Sequence, residues 1–183
     1  MSQIYRCQWE KCPHGAEPCE FSLSEVNRCA KRTICPIGED ENVGFGVDTD
    51  KEFFLLLVGS RGFRDYETLK TITDKMLSQQ VSEKKHIVIV SGGADGADKL
   101  AEKYAHEHKY QLYVFEADWE QGKSAGFKRN AKMHEYIAKQ KKRGILAFWD
   151  GKSKGTAHSF ELAKKHSNPL KVFNYQTGTF QKV

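Results

Sequence analysis

"HIVIVSGGADGADKLAEKYA" occupies residues 86–105. Ile87, Val88, Ile89 and Val90 are β-branched and favour an extended strand. From Ala97 onward the composition changes to Ala, Lys, Leu and Glu, which favour a helix. Between the two lie Ser91, Gly92, Gly93, Ala94, Asp95 and Gly96. Glycines let the backbone turn tightly and bring its N–H groups close to a ligand, with no Cβ in the way. The helix that follows directs its positive end at the same place, which suits a phosphate. This strand–turn–helix unit predicts an anion site and sets the pattern to seek on either side.

The pattern repeats. "FFLLLVGS" (53–60) is a continuous apolar run, as expected of a strand buried on both faces. Residues 65–80 carry apolar side chains at Leu69, Ile72, Met76 and Leu77, which is helical spacing. After the helix that opens at Ala97, "QLYVFEA" (111–117) reads as a strand and 125–140 as a helix. "GILAFWD" (144–150) is a further strand, 156–166 a helix, and "LKVFNY" (170–175) a last strand. Alternating β and α units of this length predict an α/β fold, a doubly wound parallel sheet of about five strands.

The first 50 residues differ. All five cysteines (Cys7, Cys12, Cys19, Cys29 and Cys35) fall within the first 35, and aliphatic residues are scarce there. So small a piece buries little core and needs a covalent or metallic tie. The clustering predicts a metal-binding module over 1–37, with Zn²⁺ held by four of the five cysteines and His14. An iron–sulfur cluster is the alternative. The odd cysteine count argues against a disulfide framework. Residues 38–50, "GEDENVGFGVDTD", are acidic and Gly-rich and read as a linker to a nucleotide-binding domain over 51–183. The module is expected to cap that domain or recruit a protein partner. No apolar run reaches membrane-spanning length, and the N-terminus lacks a signal-peptide core, so a cytoplasmic protein is expected. The net charge of +5 fits phosphorylated small molecules, nucleic acid or neither. Nucleic acid is the least supported partner, because basic and aromatic residues are not interleaved. A homo-oligomer is compatible with the sequence.

In doubly wound sheets ligands bind beyond the carboxyl ends of the strands, where strand order reverses. The residues at those ends are Gly59, Ser60 and Arg61; Ser91, Gly92, Gly93, Asp95, Gly96 and Asp98; Asp118 and Trp119; then Asp150, Gly155 and Thr156. Two motifs are ruled out. "GKS" occurs at 122–124 and at 151–153, but Ala117 and Leu146 stand where a P-loop needs its first glycine. Ser91 replaces the first glycine of a dinucleotide fingerprint, although Glu116 or Asp118 follows at the distance of a ribose-binding acid.

"GSRGF", "SGGADGADKLAEKYA", "ADWEQGKSAGFKRNAKM" and "WDGKSKGTAHSFELA", in this order, resemble the YspA/YpsA-related branch of the SLOG superfamily over about residues 52–175. The resemblance implies a Rossmann-like domain that binds a nucleotide or a derivative such as NAD or ADP-ribose. It also implies one of two roles: hydrolysis of an N-glycosidic bond, as in the "lonely guy" phosphoribohydrolases, or non-catalytic sensing of a nucleotide signal. Arg129, four residues before Met133, matches the catalytic arginine of the phosphoribohydrolases. Their catalytic glutamate follows a Gly-Thr pair; here Gly155-Thr156 is followed by Ser159 at that position. Any hydrolytic role would have to use Asp95, Asp98, Asp118 or Asp150 with Arg129, Asp98 and Asp118 being the catalytic candidates. Arg61, Asn130 and the glycine turns would bind ligand, and Trp119 is suited to stacking on a base. The aspartates also have ordinary structural readings: Asp98 caps its helix, Asp118 begins a turn and Asp150 is a turn residue.

Overall fold

The computed structural model describes residues 52–80 and 86–183, together with the backbone of two short strands, β1 (Tyr5–Arg6) and β2 (Glu20–Phe21). The chain divides into two compact units, Met1–Gly46 and Val47–Val183. In the first, β1 and β2 pair antiparallel, Tyr5 opposite Phe21. The five cysteines, and with them the expected metal module and linker, lie outside the described residues.

In the second unit the alternation runs β3 (Phe53–Gly59), α1 (Tyr66–Gln80), β4 (Ile87–Ser91), α2 (Ala97–His108) and β5 (Gln111–Val114). It continues with α3 (Ala125–Ala138), β6 (Lys142–Trp149), α4 (Lys154–Lys165), β7 (Leu170–Asn174) and β8 (Thr179–Gln181). The sheet order is β5-β4-β3-β6-β7-β8. The first five of these strands in sequence are parallel, and β8 pairs antiparallel with β7. The fold class is as the sequence predicts, with one strand more. β8 follows a turn in which Asn174 Oδ1 accepts from the N–H groups of Gln176 (2.9 Å) and Thr177 (3.3 Å), and Gly178 supplies a φ of 69°. Three residues give too short a run for a pattern of period two to register.

Successive residues of a strand face opposite sides, so the apolar run of β3 feeds two cores. Phe53, Leu55 and Leu57 pack with Leu69, Leu77, Ala101 and Tyr104 of α1 and α2. Phe54, Leu56 and Val58 pack with Met133 and Ile137 of α3 and Ala163 of α4. Cutting one of these leucines to alanine would cost about 2–5 kcal/mol. α1 starts where Asp65 accepts from the Thr68 N–H (2.9 Å) and hydroxyl (2.6 Å), a side-chain N-cap. α2 ends at Lys109, in the left-handed region at φ 56°.

Candidate functional site

Strand order reverses between β3 and β6, the position where such sheets open a crevice. The loops leaving these strands meet there. The Asp150 N–H donates to Ser60 Oγ (3.2 Å), and the Ser60 N–H donates to the Phe148 carbonyl (2.9 Å). The Ser60 carbonyl accepts from Phe63 (3.1 Å) and Ala97 (3.5 Å). Ser60 is buried and ties the loops after β3 and β6 together. Gly59 lies beneath it, where a Cβ would collide with the Phe148 carbonyl and the Ala97 side chain.

The turn between β4 and α2 is the most constrained part of this edge. Gly93 and Gly96 adopt φ values of 70° and 83°, which favour glycine. A Cβ on Gly96 would strike the backbone of Ser60 and Arg61. A Cβ on Gly92 would strike the Arg129 guanidinium, which comes from α3 and donates to the Gly92 carbonyl. The same Arg129 nitrogen pairs with Asp98 Oδ2 at 3.2 Å, and that oxygen also accepts from the Ala94 N–H at 3.3 Å. Arg129, Asp98, Gly92 and Ala94 therefore form a closed clamp. Both charged side chains are buried, and Arg129 Nε is left without a hydrogen-bond partner. Burial raises the Asp98 pKa to about 6, and Arg129 and the Ala94 N–H only partly offset this. Ser91 Oγ sits below, 3.1 Å from the Asp98 carbonyl, and accepts from the Gly93 N–H at 3.2 Å.

The turn between β6 and α4 is built differently. Asp150 Oδ1 accepts from the N–H groups of Lys152 (2.9 Å) and Ser153 (2.7 Å), and Gly151 turns at φ 80°. Burial pushes the Asp150 carboxyl up, but these N–H groups and the Ser60 hydroxyl outweigh it and hold the pKa below the ordinary value. Asn130, also on α3, donates to the Gly155 carbonyl (3.2 Å) and reaches Ser159 Oγ (3.5 Å). Thr156 is buried and its hydroxyl lies 3.1 Å from Ser153 Oγ. Gly155 is exposed, and nothing lies within 4 Å of where its Cβ would be. Neither α2 nor α4 has a side-chain cap at its N-terminus.

The residues predicted from sequence divide accordingly. Gly59, Ser60, Ser91, Gly92, Gly93, Gly96, Asp98, Arg129, Asn130, Gly155 and Thr156 all belong to these two turns or the elements that hold them. Asp95 is exposed on the first turn. Asp118 is exposed and caps a 3₁₀ turn over Trp119–Ser124, accepting from the Glu120 N–H (3.3 Å) and Gln121 Nε2 (2.7 Å). Trp119 is 58% exposed. The carbonyl-binding role of Arg129 was not read from the sequence. Asp150 is the turn residue the sequence suggests, its carboxylate closing the turn onto the Lys152 and Ser153 N–H groups. A cavity of about 350 Å³ lined by Phe63, Arg64, Phe173 and Tyr175 contains no residue of either glycine turn. Among the described residues, no group of three or more His, Cys, Asp or Glu is arranged to hold a metal, and no helix is long and apolar enough to cross a membrane.

Residues 55–122 match the family model described as "YspA, cpYpsA-related SLOG family". This segment contains most of β3, all of β4, the first glycine turn and Trp119. The "Gene 61 protein" of Mycobacterium phage D29 is 33% identical over 122 residues, which cover 63% of this chain and 92% of the phage protein.

Proposed function

This chain belongs to the YspA, cpYpsA-related SLOG family, and we propose that it binds a nucleotide or nucleotide-derived ligand, such as a nucleoside monophosphate, NAD or ADP-ribose, at the carboxyl edge of its sheet. One observation carries this reading. Two helices, α2 and α4, begin at this edge behind glycine turns without a side-chain cap. Helix N-termini of this kind attract phosphate through their unpaired N–H groups and their dipole. Calorimetric titration of the full chain with adenosine 5′-monophosphate, NAD and ADP-ribose tests it. Saturable binding that is only weakly salt-dependent is expected. No binding to any of the three would refute the proposal. Strongly salt-dependent binding to DNA instead would point to nucleic acid.

Binding without turnover, in a sensor or adaptor, is the role the geometry favours. Ser159 offers no carboxylate behind Gly155-Thr156, Asp118 is engaged in its turn, and Asp98 is spent on the Arg129 clamp. Hydrolysis of an N-glycosidic bond has one observation on its side, the Asp98 carboxyl raised to about 6, in the range useful for proton transfer. Chromatography with mass spectrometry separates the two: intact nucleotides are expected, whereas free base or ribose phosphate would identify a hydrolase. For the N-terminal unit the proposal remains a Zn²⁺ site using four of six candidate ligands, the five cysteines and His14, serving to recruit a protein partner. Elemental analysis finding neither zinc nor iron in the purified protein would end it.

A further inference from the structure

Arg61 and Trp119 come from loops that flank the first glycine turn on either side. The Arg61 backbone is seated on Gly96, where it leaves no room for a Cβ. Its guanidinium reaches the Trp119 ring, with Cζ 5.7 Å from the ring centroid. The far edge of the indole is held near the Gly126 backbone, 3.7 Å from where a Cβ would stand. The backbone of Arg61 therefore lies beside Gly96, the N-cap of α2, while its guanidinium rests against an indole that is more than half exposed.

We propose that Trp119 is the stacking platform for the base of the bound nucleotide, and that Arg61 covers this platform in the free protein and moves to the ligand's phosphate when the base takes its place. The inference rests on the nucleotide-binding reading and specifies its ligand as one with both a planar base and a phosphate. Three observations support it. A cation–π contact between exposed groups is weak and easily exchanged. Stacking of a base on an aromatic ring is the stronger interaction and is indifferent to base identity. The Arg61 backbone is seated on Gly96, the uncapped N-cap of α2, so a guanidinium that leaves the indole stays tethered there and can add its charge to the helix N-terminus at one phosphate.

The two residues make opposite predictions for ligands that lack one half of the nucleotide. Adenosine 5′-monophosphate, adenosine and ribose 5-phosphate would be titrated calorimetrically into the full-length wild type, Trp119→Ala and Arg61→Ala. Both side chains are exposed, so both variants are expected to fold. Trp119→Ala should weaken the nucleotide and adenosine about tenfold or more and leave ribose 5-phosphate unchanged. Arg61→Ala should weaken the nucleotide and ribose 5-phosphate about tenfold, while adenosine binds as well as before or more tightly, because its platform is uncovered. Wild-type affinity for the nucleotide in Trp119→Ala, or equal loss of adenosine and ribose 5-phosphate in either variant, would overturn the inference and leave nucleotide binding standing. Failure of the wild type to bind the nucleotide at all would overturn both.

Discussion

The two glycine turns at the carboxyl edge look alike in sequence and are held by different forces. In the turn after β4, Gly92 and Gly96 are required by the protein itself: one faces a buried guanidinium, the other faces backbone. After β6, Gly155, the second residue of α4, has open space where its side chain would be, and its carbonyl is held from behind by Asn130. The first glycines are explained by packing. Gly155 is not; the ligand proposed above, approaching the start of α4, would supply the missing reason. Glycine at a strand–helix turn thus marks a close approach, without saying whether the approaching group is part of the chain.

The difference can be broken most severely at the clamp. Arg129→Ala leaves the Asp98 carboxylate and the Gly92 carbonyl buried without their shared partner, and should destabilise the domain by about 3–5 kcal/mol in urea denaturation. A loss below about 1 kcal/mol would mean that water reaches the pair. Gly96→Ala should cost about 2–4 kcal/mol, from a positive φ and a collision with backbone that has little room to yield.

The clamp also predicts a dependence on pH. The folded-state pKa of Asp98 is raised to about 6 from an ordinary 3.8. Between these values the folded protein keeps a proton that the unfolded chain has released. The associated stability is therefore fully present below about pH 4 and is lost as pH rises through about 6, by up to about 3 kcal/mol. Urea midpoints of the wild type and Asp98→Asn between pH 4 and pH 7 isolate this contribution, which should vanish in the variant. The smallest effect sharpens the comparison. Gly155→Ala should change stability by no more than about 1 kcal/mol, and toward greater stability, since alanine is the better helix residue. Its nucleotide affinity should fall all the same. A destabilised Gly155→Ala would place this glycine in the same class as Gly92 and Gly96.

Much of this architecture was legible in the sequence, because parallel strands buried on both faces read as unbroken apolar runs. Phe53–Gly59 and Ala97–His108 stand almost where composition puts them. β8 and the 3₁₀ turn over Trp119–Ser124 were not legible, as each is too short for periodicity to register. The glycine turns were legible as turns. Which of their side chains face inward was not, because that depends on α3, whose Arg129 lies 37 residues after Gly92 and whose Asn130 lies 25 residues before Gly155 in sequence, each placed against that glycine.

The central claim is that a nucleotide sits on these two turns, and amide chemical-shift mapping tests it most directly. Titrating adenosine 5′-monophosphate into the isotope-labelled full chain should shift the backbone N–H resonances of residues 61, 92–97 and 153–156 together, along one saturation curve. Shifts confined to the amino edge of the sheet, or none at millimolar nucleotide, would contradict it.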